Sequence, residues 1–554
     1  MIKKIVPWLG VIVTLLLLVA LIGPRMIGQS SAPPSAYRAQ SEYAQQWNLP
    51  DTAHYDTYED NALKEVSRDP VSTFGLDVHT ASYANVRRFL FAGRAPHPGA
   101  VRIEELLNYF PPASGDMPPE RIAETPLSVA YEMAPVPWRS DRALLWLSFL
   151  AESAEGNGYE ASPPANLVFL VDVSGSMSPP ERLPLVRTSL QMLVERMRAE
   201  DRVSIVTYSG SVGVALTPTS GERKATILSA IEGLQAGGGT AGGAGLALAY
   251  KQAEEAFIPG GVNRILLCTD GDFNLGVSST DELTAFVARS RESGVTLSIL
   301  GFGDDNLNDA LMTRIAACGN GNYSYIDSLA EARKVLDEEL AATFVTVAKD
   351  AKVQIEFNPA NVRAYRQIGY EKRQLGREDF NDDRVDAGDL GMGKRVTVLY
   401  ELELVGSTPS ADPLRYAPTV TGDKPSALTA DIKTDELAYL KIRWKEPGTE
   451  KSELVETPLQ AAALRASFDE AGAGLRFFAA VAAYGQKLRT NPNLTDTSWG
   501  EIARWADESR GDDLYRAEFV RLVRLAEAVT NDRSAARTDE RAKTFSAMGT
   551  PAAQ

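Results

Sequence analysis

Three short polar runs in this 554-residue chain gather oxygen ligands: Asp172-Val173-Ser174-Gly175-Ser176, Gly237-Gly238-Gly239-Thr240 and Thr269-Asp270-Gly271-Asp272. In the first, positions 172, 174 and 176 alternate, so an extended turn aims three side chains the same way, and Gly175 allows close approach of the backbone. Asp172 and Asp270 offer carboxylates; Ser174, Ser176 and Thr240 offer hydroxyls. These are hard donors suited to Mg²⁺ or Ca²⁺, and two carboxylates neutralise one divalent ion, whereas a soft metal wants nitrogen or sulfur. Supply excludes a His/Cys zinc site, because the chain holds only three histidines (His54, His79, His97) and two cysteines (Cys268, Cys318). Taken alone, D-x-S-x-S is an ordinary turn built on Asx and Ser hydrogen bonds. The co-occurrence of three such runs, two of them closing apolar segments, is what points to a metal.

Other constellations are weaker. Gly237 to Gly242 fits G-x-G-x-x-G, but it follows a helical pattern, has no acidic residue about 20 positions on, and precedes no Walker lysine. Ser-His-Asp hydrolysis would need one of the three histidines, none of which lies near the central segment in sequence; each reads as a surface or hydrogen-bonded structural residue. Asp304, Asp305 and Asp309 read as a solvated, helix-capping loop on the rim of the same face, and Asp272 as a turn residue. Phe477, Phe478, Trp499 and Trp505 read as core.

The elements that position the polar runs are legible as well. Leu167–Val171, Arg264–Cys268 and Val295–Phe302 are near-continuous apolar runs, as expected of strands covered on both faces. Helical stripes lie between them, such as Leu183, Val186, Leu190, Leu193, Val194 and Met197, so a parallel α/β sheet is expected. Ligands bind beyond the carboxyl ends of such strands, where Asp172 and Asp270 stand. Flanking segments alternate with period two: Leu127, Val129, Tyr131 and Met133; Val396, Val398, Tyr400, Leu402 and Leu404 opposed by Arg395, Thr397, Glu401 and Glu403; Ala438, Leu440, Ile442 and Trp444 opposed by Lys441 and Arg443. Half-buried antiparallel strands on both sides of the central segment predict a β-sandwich into which it is inserted.

Asp172, Ser174, Ser176, Thr240 and Asp270 resemble, in order, the metal-ion-dependent adhesion site of von Willebrand factor A (vWA) domains. The resemblance implies a cation, Mg²⁺ with Mn²⁺ or Ca²⁺ as alternatives, that keeps a position open for an Asp or Glu carboxylate from a partner protein. Ser72-Thr73-Phe74, Asp77-Val78, Thr80 to Phe89, Val101 to Leu106 with Asn108-Tyr109-Phe110, Leu267 to Asn274 and Gly319 to Tyr323 further resemble bacterial YfbK-like vWA proteins. The expected activity is recognition, not catalysis. The competing readings are a metal-assisted hydrolase and a structural assembly factor with a non-functional site.

Composition sets the frame. At 44% apolar residues the chain is globular, and a net charge of −16 removes nucleic acid as a partner. The run Ile5 to Ile22 has the length of a bilayer crossing; Lys3 and Lys4 precede it, which puts the amino terminus in the cytoplasm and the bulk of the chain outside, in the periplasm or at the cell surface. The rival reading is a cleaved signal peptide, but the run is longer than the apolar region of such peptides and no A-x-A site follows, so a retained single-pass anchor is expected ahead of it; no cysteine follows for lipid attachment. The expected fold class is α/β: a Rossmann-like, mainly parallel vWA sheet with helices on both faces, inserted in a β-sandwich, with a transmembrane helix and small helical modules at both ends. The corresponding segments are an anchor (1–26), a tether (27–66), a helical module (67–118), sandwich strands (119–160 and 346–450) around the vWA domain (163–345), a helical region (455–530) and a disordered tail (531–554).

Overall fold

The computed structural model describes residues 53–548 except 57–58, 77–78, 111–115, 117, 124–126, 152–158, 241, 272–278, 304–306, 340–341, 343–344, 386, 408–434, 450 and 495. The described residues open with β1 (Lys64–Glu65), β2 (Val71–Gly75), α1 (Ala81–Phe91) and α2 (Ile103–Leu107), followed by β3 (Glu120–Ala123), β4 (Leu127–Val136) and β5 (Arg139–Ala151). The central unit runs β6 (Ala165–Asp172), α3 (Leu183–Arg196), β7 (Arg202–Tyr208), β8 (Val212–Ser220), α4 (Lys224–Glu232), α5 (Gly242–Glu255) and β9 (Val262–Thr269). It continues with α6 (Thr280–Ser290), β10 (Thr296–Gly301), α7 (Asp309–Cys318), β11 (Tyr323–Tyr325) and α8 (Leu329–Arg333). Strands then return as β12 (Thr346–Phe357), β13 (Val362–Ile368), β14 (Leu390–Gly391), β15 (Arg395–Leu404), β16 (Glu436–Lys445) and β17 (Ser452–Gln460), before α9 (Ala473–Leu488), α10 (Trp499–Ser509) and α11 (Leu514–Met548).

The central sheet has the order β11-β10-β9-β6-β7-β8, parallel except for the antiparallel edge strand β8. Successive residues of β6 serve opposite cores: Leu167, Phe169 and Val171 pack with the helix residues Val186, Leu190 and Ile227, while Val168 and Leu170 pack with Leu246, Val287 and Met312. That double covering is why the strand reads as an unbroken apolar run. The register pairs Asp172 with Tyr208 and Val171 with Cys268, so the ligand-bearing strand ends are level.

The flanking strands form two sheets, β1-β13-β15-β5-β4-β3 and β14-β12-β16-β17, with β2 added to β12. Leu145, Leu147, Val398 and Tyr400 from the first meet Val353, Ile355, Leu440 and Ile442 from the second in one core. The expected wet face of β15 is corrected by the structure: Arg395, Thr397, Glu401 and Glu403 are all buried. The reason is a third layer, in which α9, α10 and α11 pack with α1 and α2 over Leu144, Trp146 and Leu399 on the back of the first sheet. Burial of Glu401 is matched by donors, with Trp138 Nε1 at 2.8 Å, Arg366 at 2.6 Å and Arg142 at 2.7 Å. The helices from the two chain ends thus share a core, instead of standing as separate modules.

Three boundaries shift, the first because β17 carries strand to Gln460, into the region expected to be helical from residue 455. Residues 53–66, assigned to the tether, are built in: β1 pairs with β13, and the His54 N–H donates to the Leu307 carbonyl at 3.0 Å. The last helix continues to Met548, past residue 531 where disorder is expected; this stretch lacks Pro and Gly up to residue 548 and is rich in Ala and Arg, which favour helix. The run Ile5–Ile22 lies outside the described residues, among which no helix is long and apolar enough to cross a membrane.

Candidate metal centre

Strand β6 delivers Asp172, and the chain then curls because the Asp172 Oδ1 accepts the Ser174 N–H at 2.8 Å. This turn brings the Ser174 and Ser176 hydroxyl oxygens within 3.0 Å of each other. The glycine loop docks on it from the side: the Gly175 N–H donates to the Gly238 carbonyl at 3.0 Å, and the Gly237 N–H to the Val173 carbonyl at 2.8 Å. Gly238 has φ +87, a conformation that favours glycine, and a Cβ there would be a tight 3.3 Å from the Gly210 nitrogen. Docking of this loop carries in Thr240, which is half-buried at the entrance to α5. From β9, the Thr269 hydroxyl accepts the Gly271 N–H at 3.1 Å and lies 3.4 Å from Asp172 Oδ2, which sets Asp270 beside the first loop.

The electrostatics follow from burial. Asp172 is fully buried, and its carboxyl is pushed up to about 6, chiefly by desolvation and further by the Asp270 charge, against hydrogen bonds from Ser174 and Tyr208. The Tyr208 phenol, level with Asp172 in the sheet, is held well above its ordinary value by burial and by the Asp172 charge. Asp270 is differently served: Nη1 of Arg182 lies 2.8 Å from its Oδ2 and donates to the Ser176 carbonyl, also at 2.8 Å.

Asp172, Ser174, Ser176 and Asp270 thus lie together at the carboxyl edge of the sheet, and the glycine loop that leads to Thr240 docks beside them. The donor set fits a hard divalent ion, because two carboxylates and three hydroxyls are available and one carboxylate is buried against its own preference for the charged form. Among the described residues no group of three or more His, Cys, Asp or Glu side chains could hold a metal; here three of the five donors are hydroxyls.

Other sequence candidates fall elsewhere. Asp309 is not a solvated rim residue: it is buried at the start of α7 and ion-paired with Arg102, with Nη2 to Oδ1 at 3.2 Å. Asp272, Asp304 and Asp305 lie outside the described residues. Nδ1 of His79 accepts the Tyr323 N–H and that of His97 the Gly99 N–H, both structural uses. Cys268 and Cys318 are free thiols, the first buried in β9 and the second half-buried. Phe477, Phe478, Trp499 and Trp505 are core, as their composition implies.

Sequence reasoning missed Arg182 and Tyr208. A signal for Arg182 existed: it caps the amino end of α3, where the helix dipole disfavours a cation, so a reason beyond local helix formation was required.

A parallel sheet with this ligand set at its carboxyl edge defines a vWA domain, and residues 166–338 match the family model described as "von Willebrand factor type A domain". Residues 49–146 match "von Willebrand factor", and residues 342–529 match "Uncharacterized protein YfbK, C-terminal". Over 509 residues the chain is 51% identical to "Uncharacterized protein YfbK" of Escherichia coli (strain K12), covering 91% of this chain and 86% of that one. The chain belongs to the YfbK family of vWA proteins. It is also 24% identical over 378 residues to "Uncharacterized protein sll0103" of Synechocystis sp. (strain ATCC 27184 / PCC 6803 / Kazusa), covering 66% of this chain and 89% of that one. Among solved structures, "von Willebrand factor type A from Catenulispora acidiphila" aligns with TM-score 0.40 and 14% identity over 85% of this chain and 91% of that one. Domains of the vWA class commonly mediate protein–protein interaction and commonly carry a divalent metal.

Proposed function

We propose that this protein binds a partner protein through a divalent cation held by Asp172, Ser174, Ser176, Thr240 and Asp270, and that it does so from the outer face of a cell membrane. The observation that carries the reading is the buried Asp172 carboxylate, held at about 6 next to two hydroxyls 3.0 Å apart, a charge without enough compensation in the protein itself. Mg²⁺, or Mn²⁺ or Ca²⁺ in its place, would supply an open coordination position for an Asp or Glu carboxylate of the partner. The chain's own residues do the rest. Asp172 and Asp270 neutralise charge, the serine turn fixes the hydroxyls, and the docked glycine loop positions Thr240. Anchoring rests on the apolar run Ile5–Ile22 with Lys3 and Lys4 before it.

The test is capture of envelope proteins by the full chain in Mg²⁺ against EDTA, repeated with Asp172→Ala and Thr240→Ala. Mg²⁺-dependent capture lost in both variants, with the far-ultraviolet circular dichroism of the folded chain retained, supports the proposal. Capture indifferent to Mg²⁺ and to both substitutions sinks the metal's role, and reproducible metal-dependent turnover of phosphoester or peptide substrates would favour a hydrolase instead.

A further inference from the structure

Arg182 occupies an unusual place for a guanidinium. It is 4% exposed, lies at the amino end of α3, and its Nη1 bridges the Asp270 carboxylate and the Ser176 carbonyl, each at 2.8 Å. Its seat is prepared by the opposite loop. Gly303, at φ +81, leaves the space that Arg182 fills, since a Cβ there would meet the Arg182 Nε at 2.5 Å and its Cδ and Cγ at 3.1 Å. The Tyr325 hydroxyl donates to the Gly303 carbonyl and holds that loop in place. A buried arginine with a glycine opposite it and a carboxylate in front of it is a fixed part of the centre, not a surface charge that happened to fold in.

We propose that Arg182 is a built-in cation of the metal centre, which clamps Asp270 and sacrifices metal affinity to leave the loaded site attractive to an anion. The charges give the sense of the effect. Asp172, Asp270 and Arg182 together carry one negative charge, so a divalent ion leaves the site with one net positive charge; without Arg182 the loaded site is neutral. A partner's carboxylate is drawn to the former and not to the latter. The inference rests on the metal-dependent recognition proposed above, and it makes Arg182 a positioning and charge-setting residue, not a ligand.

The test uses the full chain, Mn²⁺ as the metal probe and acetate as the smallest carboxylate. Mn²⁺ affinity is read by titration with electron paramagnetic resonance, and acetate binding by proton relaxation on the Mn²⁺-loaded protein. Arg182→Gln removes the charge and is expected to tighten Mn²⁺ binding by about tenfold or more and to weaken acetate by a similar factor, the effect of one elementary charge close by in a partly buried site. Arg182→Lys keeps the charge and is expected to hold Mn²⁺ affinity within about threefold of wild type, which keeps the test decisive if the Gln variant fails to fold. Mn²⁺ affinity unchanged or lowered in Arg182→Gln, or tightened equally in Arg182→Lys, overturns the proposal. Absence of Mn²⁺ binding in the wild type fails the metal reading itself, a different result read in a different sample.

Discussion

Replacing Asp172 by Asn isolates what a bare carboxylate does to this fold. Asp172 is fully buried and its carboxyl is pushed up to about 6 from an ordinary 3.8, first by desolvation. At 1.36 kcal/mol per unit, the ionised group weighs against the native state by about 3 kcal/mol at neutral pH. Because the folded-state value lies above the unfolded one, the native chain binds this proton more tightly. The associated stability is fully present below pH 3.8 and is lost as pH rises to about 6. Asn is neutral throughout, and its Oδ1 can still accept the Ser174 N–H. In EDTA near pH 7.5, Asp172→Asn is therefore expected to melt above wild type, by roughly 6–12 °C if the central unit melts on its own. The gap should narrow below pH 6 and vanish near pH 4. Thermal unfolding followed by circular dichroism across that range is the assay. A variant that melts below wild type in EDTA at neutral pH, or by an amount independent of pH, refutes the reasoning.

Three further outcomes are expected. Mg²⁺ at about 100 times its dissociation constant should stabilise the wild type by about 2.7 kcal/mol, and Thr240→Ala should blunt that shift in the same melting experiment. Gly238→Ala forces a non-glycine residue to φ +87 beside Gly210, at a cost of about 1–2 kcal/mol, and should weaken Mn²⁺ binding by displacing the Thr240 loop; unchanged Mn²⁺ affinity would separate that loop from the site. Arg87 is 3% exposed and reaches Asp327, Glu331 and Glu518, joining α1 to the central unit and to α11. Arg87→Ala strands those carboxylates and should cost about 3–5 kcal/mol in chemical unfolding, whereas a loss under about 0.5 kcal/mol would show that the cluster contributes little.

The strand ends that carry Asp172 and Asp270 were readable because apolar runs covered on both faces stop abruptly, and the polar residue after each stop lies at the carboxyl edge of the sheet. The helices α9 and α10 both fall within the helical region expected over 455–530. What local pattern does not contain is the partner of a charge. Glu401 alternates with apolar neighbours and so reads as solvent-facing, yet Arg142 and Trp138 reach it from 259 and 263 positions away. Asp309 has the look of a helix cap, but Arg102 meets it across 207 positions. Arg182 was hidden for a related reason. Its partner Asp270 is 88 positions distant, and only the packing of Gly303 reveals that its seat is prepared.

The pairing of β5 with β15 has a consequence for how the chain is made. These neighbours in the first sheet are separated by the whole central unit and by β12 to β14, and Trp138, just before β5, meets Glu401 of β15 only after 263 further residues have been added. At roughly 5–20 residues per second, that interval lasts roughly 10–50 s. Through it the β4–β5 hairpin leaves the ribosome with an open edge and with Leu144, Trp146 and Phe149 incompletely covered, since α9 to α11 and the second sheet's β12 and β16 come from later in the chain. The central unit, by contrast, has its strands within one continuous stretch and can close while the frame waits. Nascent chains of this protein therefore pass through a long-lived stage, finished in the middle and adhesive at the amino-terminal side, in which a holdase has more to protect than at any later time.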